Sequence, residues 1–161
     1  MTVINSNRAV RGPVTAVPLV AGKGVKITAD TVNNRYVAEV DETVLFSSDS
    51  GVDTSTQVVL SEAYTNFEFI RFEYLPWAET PSEQAQMFGT KYANFCLNSG
   101  WTSTNGSWFA LFITNYQASD TTHLSVTKCG YSNCDQTSTW ATSNANFRLF
   151  KVVGINRIAS N

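Results

Sequence analysis

The stretch from Val25 to Val40 constrains this chain more than any other, because it alternates as β-structure does and is too small to fold alone. Val25, Ile27 and Ala29 line one side of a first run. Tyr36, Ala38 and Val40 return after an Asn33-Asn34-Arg35 turn. Asn accepts the positive φ that tight hairpin turns require. A single hairpin is marginal in water, and Tyr36 and Phe46 are the only aromatics before residue 47. The apolar strip therefore has to be covered, either by the rest of the chain or by copies of itself. The expectation is copies, with Val25, Ile27, Tyr36, Ala38 and Val40 at the interface.

Charged residues make up only 15% of the chain and aromatics 12%, a profile of strands and packing surfaces rather than solvated helices. The segment richest in helix formers, Pro81 to Phe88, is barely two turns long, so at most a short helix within a loop is expected there. The fold class is read as all-β. A polar run, Ser47 to Thr56, divides the chain as a linker would. Before it lie an extended Pro- and Val-containing segment, residues 1–20, and the hairpin, residues 21–46. After it, residues 57–161 carry six or so strand signals separated by Gly, Ser, Asn and Thr loops: 57–60, 66–75, 91–98, 108–113, 123–128 and 147–158. That pattern predicts a β-sandwich or jelly roll able to bury its own core. A strip that is stable only in company, joined to a head that is stable alone, is the plan of a homotrimeric fibre.

Net charge is −2, but residues 1–35 hold five basic residues against Asp30 alone, and the remainder is acidic. Such asymmetry orients one end toward an acidic partner. The basic residues are spread singly, which argues against nucleic acid. No run is long enough for a membrane helix, and residues 1–7 lack the pattern of a signal peptide. Cys96, Cys129 and Cys134 give no even disulfide framework, although Cys129 and Cys134 flank a short loop that a bridge could close; free thiols are the expectation. With His123 the only histidine, neither a metal site, a cofactor nor a Ser-His-Asp arrangement is expected. Glu68, Glu73, Glu79 and Glu83 could supply the paired carboxylates of a glycan-degrading tip, but adhesion without turnover is the better reading. Trp77, Trp101 and Trp140 lie in polar or turn-rich contexts where an aromatic face can stack on a sugar ring, and Tyr116 and Tyr131 have similar standing; Trp108 heads an apolar strand and is read as core.

Four segments resemble bacteriophage fibre proteins: Val17 to Ile27 with Asp30 to Arg35, Val40 to Phe46, Leu60-Ser61-Glu62-Ala63-Tyr64-Thr65-Asn66-Phe67-Glu68-Phe69-Ile70-Arg71, and Phe147 to Ile155. The first two are similar to a stem-and-collar segment near the start of such fibres, the third to the opening strands of a sandwich tip. The closing Phe147 to Ile155 is similar to that tip's last strand. The resemblance implies a virion protein assembled in the bacterial host cytoplasm. It implies a homotrimer whose N-terminal segment, with Arg8, Arg11, Val14 and Val17, docks on a capsid or other virion protein. A stem of under fifty residues suits a head fibre better than a whole tail fibre. A tail-fibre or baseplate receptor-binding protein, and an architectural collar without ligand, are the alternatives. Trp77, Trp101, Tyr116 and Trp140 are the expected contacts with glycans or host surface.

Overall fold

The computed structural model describes residues 25–76, 83–102, 109–133, 139–141 and 146–158; for 101–102, 109–110, 132–133 and 139–141 only the backbone is described. All of the extended elements pair antiparallel, so the all-β reading holds. β1 (Val25–Asp30) and β2 (Arg35–Val40) form a two-stranded sheet of their own. The remaining strands form two larger sheets. One runs in the order β3 (Glu42–Val52), β11 (Arg148–Arg157), β5 (Phe67–Leu75), β6 (Gln84–Gly89). The other runs β10 (Thr139–Ala141), β9 (His123–Asn133), β8 (Phe109–Ala118), β7 (Asn94–Thr102), with the short β4 (Val58–Val59) also on β9.

The core forms where alternating positions of both sheets meet. Ile70, Phe72 and Tyr74 of β5 and Val152 of β11 contribute from one sheet; Phe95 and Leu97 of β7, Tyr116 of β8 and Leu124 of β9 contribute from the other. Their rings interlock: the Phe72 centroid lies 5.3 Å from Phe95 and 5.7 Å from Tyr116, and Phe88 packs edge-on against both Phe72 and Phe95. Offset and edge-to-face pairs of this kind add to simple burial of area. Along β7 Phe95 and Leu97 are buried while Asn94, Cys96 and Asn98 are exposed; Ala93, whose spacing puts it with Phe95 and Leu97, precedes the strand and is exposed. Where the two sheets meet at β6 and β7, Gln86 stitches the edge: its Oε1 accepts from the Asn98 backbone N–H at 2.8 Å and from the Tyr74 hydroxyl at 2.9 Å. The Asn98 carbonyl also lies 2.9 Å from that hydroxyl, so the two oxygens share its single proton. Burial pushes the Tyr74 phenol up to about 12.

Four expectations need correction. The division at residues 46 and 47 is misplaced, because β3 runs through it and pairs with β11 on both sides, from Ile155–Glu42 to Leu149–Val52. Glu42 to Phe46 thus belong to the head, and Ser47 to Val52 are an edge strand rather than a linker. Their polarity reflects that edge: extra residues between Ser47 and Val52 form a bulge, with Gly51 at φ 69. Second, Gln84 to Phe88 are strand, not helix, since they pair residue by residue with Tyr74 to Ile70. Third, the hairpin turn spans Thr31 to Asn34, with Arg35 already in β2 opposite Asp30 and Asn34 at φ 50. Fourth, Tyr116 is fully buried; β8 continues past Ile113, and the parity that buries Phe112 and Thr114 also turns Tyr116 inward, away from any external ligand.

Candidate functional site

In the hairpin, the cross-strand pairs Val25–Val40, Ile27–Ala38 and Ala29–Tyr36 alternate with Lys26–Glu39, Thr28–Val37 and Asp30–Arg35. Residues opposite one another share a face. One face is thus wholly apolar, and the other carries Lys26, Glu39, Thr28 and Val37 together with the ion pair Asp30–Arg35. Asp30 accepts from Arg35 Nε at 2.8 Å and from Asn33 Nδ2 at 2.8 Å. The Asn33 contact, followed by Arg35, holds its carboxyl below the ordinary range. No residue of the hairpin is buried, and on the apolar face Tyr36 and Val40 are 61% and 62% exposed. Among the described residues, then, none buries this strip, although Ile27 is partly covered.

Asp41 alone separates β2 from β3, and it is held from both ends. Its carbonyl accepts the Asn156 backbone N–H, and its Oδ2 accepts the Arg157 backbone N–H, each at 2.9 Å. Asn156 sits at φ 58, a left-handed conformation that Asn tolerates. Arg157 then turns its guanidinium onto Glu62 in a two-bonded fork, at 2.7 and 2.6 Å, and lies 4.6 Å over the ring of Phe67. The fork keeps the Glu62 carboxyl below its usual range. Asn66 donates to Glu62 at 3.2 Å, the Ile158 N–H donates to the Asn66 carbonyl at 2.8 Å, and the Ser61 N–H donates to the carbonyl of Leu45 at 2.8 Å. The Thr90 hydroxyl donates to the Phe67 carbonyl. Gly154 completes the joint, since a Cβ there would fall 2.5 Å from the Phe67 ring.

The segments Leu60 to Arg71 and Phe147 to Arg157 therefore converge at the point where the hairpin leaves the two larger sheets. Chemically the arrangement is a clamp: a paired arginine, a buried ring and a backbone-held aspartate fix that exit. The pair Glu62–Arg157 was not legible beforehand, because 95 residues separate the partners and no spacing links them.

The other expected residues are distributed as follows. Arg8, Arg11, Val14, Val17, Trp77, Glu79, Trp108 and Cys134 lie outside the described residues, and the side chains of Trp101 and Trp140 do as well. Tyr131 packs beside Phe112 at 6.1 Å between centroids. Cys129 is a buried free thiol and Cys96 an exposed one. Of the carboxylates, Glu73 is paired with Arg71 at 3.0 Å and Lys151 at 3.8 Å, Glu68 accepts from Asn156 Nδ2 at 3.4 Å, and Glu83 is exposed. His123 and Asp120 close the β8–β9 turn: Asp120 accepts the backbone N–H groups of Thr122 and His123 at 2.7 and 2.9 Å and meets His123 Nδ1 at 2.9 Å. These bonds, Thr122's first, hold the Asp120 carboxyl well below the carboxylate range. Neither the family models nor the curated proteins compared with this sequence include a match.

Proposed function

We propose that this chain is a structural virion protein of a bacteriophage, a homotrimeric head fibre that docks through residues 1–20 and presents its sandwich-like head outward. The single observation that carries the reading is the apolar face of the hairpin, where no residue is buried and Tyr36 and Val40 stay 61% and 62% exposed, a surface suited to cover by sister chains. The clamp around Asp41 supports it, because a stem can transmit position to a head only through a rigid joint. Arg8 and Arg11, with Val14 and Val17, supply a basic and apolar dock for an acidic site on the particle. Trp77, Trp101 and Trp140 are the contacts for glycans or host surface, each too weak alone and effective through three-fold multivalency. Its work is adhesion without turnover.

Particles assembled with chain lacking residues 1–20 test the dock. Loss of the protein from purified particles, with the free chain still of oligomeric mass, is the expected result. Retention of the truncated chain at wild-type copy number would overturn the assignment of that segment, and immunogold labelling of intact particles separates a head position from a tail or baseplate one.

A further inference from the structure

We infer that the outward face of the β3–β11–β5–β6 sheet is a second contact surface for sister protomers, continuing the one on the hairpin; this rests on the self-association proposed above. The first reason is area. The apolar strip of the hairpin is about 20 Å long and 10 Å wide, from strand rise and spacing. That footprint, roughly 200 Å², is about a quarter of the ~800 Å² per partner that stable interfaces bury. A chain that associates through the hairpin needs more surface than the hairpin offers.

The sheet next to it offers that surface. Ile70, Phe72 and Tyr74 point into the core, so Phe69, Arg71 and Glu73 point outward. Register then places Glu42, Ile155 and Phe69 in one outward row, Val44, Val153, Arg71 and Met87 in the next, and Ser47, Lys151, Glu73 and Ala85 in a third. An antiparallel sheet facing water ordinarily alternates to polar on that side. This one carries Val44, Phe69 and Met87 exposed, Met87 to 57%, while Val153 and Ile155 between them are already buried within the chain. Four strands wide and three rows deep, the face is about 19 Å by 15 Å, larger than the hairpin strip.

The charges on this face select the occupant. Arg71 donates to Glu42 at 2.7 and 3.1 Å and to Glu73 at 3.2 and 3.0 Å, and Lys151 pairs with Glu73. The Arg71 bond keeps the Glu42 carboxyl below its usual range. Two acids and two bases are thus matched within one chain. Copies of one surface brought together repel if that surface has net charge; this surface has none, and its arginine already has partners when water leaves. Continuity points the same way, because Asp41 alone separates Val40, on the apolar strip, from Glu42 at the edge of this face.

Met87 gives a direct probe, as Met1 is the only other methionine. Full-length protein is treated with hydrogen peroxide and Met87 sulfoxide followed by peptide mass, alongside sedimentation of the same samples. In the oligomer Met87 should oxidise about fivefold or more slowly than in an Ile27→Asp variant that sediments as a monomer, since reactivity follows exposure. As a second reading, Val44→Glu, far from the core, should weaken association about tenfold or more by placing an unmatched carboxylate in the contact. An oligomer whose Met87 oxidises at the monomer rate, or that Val44→Glu leaves unchanged, would overturn this inference and leave hairpin association intact. A wild-type chain that sediments as a monomer would overturn both.

Discussion

Gly154→Ala should destabilise the head through one contact that can be worked out in advance. The added Cβ would sit 2.5 Å from two carbons of the Phe67 ring and 2.7 Å from a third. Carbon atoms pack best at about 3.5–4.0 Å, so the ring or the strand would have to move by about 1 Å. Neither is free to do so. Phe67 is fully buried, with Arg157 over its ring and the Thr90 hydroxyl on its carbonyl. Gly154 lies on β11, which is paired on both edges, to Thr43 and to Ile70. Overpacking of this kind costs about 1–3 kcal/mol, which in a chain of this size lowers Tm by roughly 3–10 °C. Denaturant unfolding of the full chain measures it. Gly89→Ala is the internal control, because a Cβ there meets nothing within 4 Å; it should change stability by less than about 0.5 kcal/mol. Adding Phe67→Leu to Gly154→Ala should cost less than Phe67→Leu alone, with a coupling of about 1 kcal/mol in the double-mutant cycle. Strict additivity, or a Gly154→Ala loss as small as the Gly89 control, would refute the steric reasoning.

Further outcomes follow from the same geometry. The Tyr116 hydroxyl is buried with no hydrogen-bond partner among the described residues, so Tyr116→Phe should leave stability unchanged or raise it by up to about 1 kcal/mol, read by denaturant midpoint. Gln86→Ala removes the acceptor for the Asn98 N–H; hydrogen exchange at that amide should speed up about tenfold, with little change elsewhere. Because Arg157 and Arg71 lower the carboxyls of Glu62 and Glu42 from 4.5, their contributions are complete above pH 4.5 and disappear as pH falls through the depressed folded values. A stability profile from pH 7 to 2 should therefore decline below about pH 4.5, and Glu62→Gln should flatten part of that decline.

Strand alternation made the apolar face of the hairpin legible, but not its register: the turn lies at Thr31 to Asn34 rather than at Asn33 to Arg35, and this pairs Ile27 with Ala38. The alternation of Phe95 and Leu97 was readable from the same period-two pattern. Tyr116 was misread where the apparent strand stopped at the apolar run; the true strand continues through Thr114, a polar residue turned inward. At Gln84 to Phe88, helix propensity lost to tertiary pairing with β5, which packs the half-buried Phe88 against Phe72 and Phe95. Ser47 to Val52 looked like linker because an edge strand with a bulge needs few apolar residues. The clamp of Glu62, Phe67, Gly154 and Arg157 joins distant parts of the sequence, so only its component motifs, and not their meeting, could be seen in the sequence.

The most direct measurement is sedimentation of the full-length chain from tens of micromolar down to about one micromolar, combined with hydrogen exchange across Val25 to Val40. A mass three times that of the 17.7 kDa chain, with hairpin amides protected while the oligomer persists and unprotected once it dissociates, is the expected result. A monomer whose hairpin amides stay protected at the lowest concentration would contradict the claim that sister chains hold this strip in order.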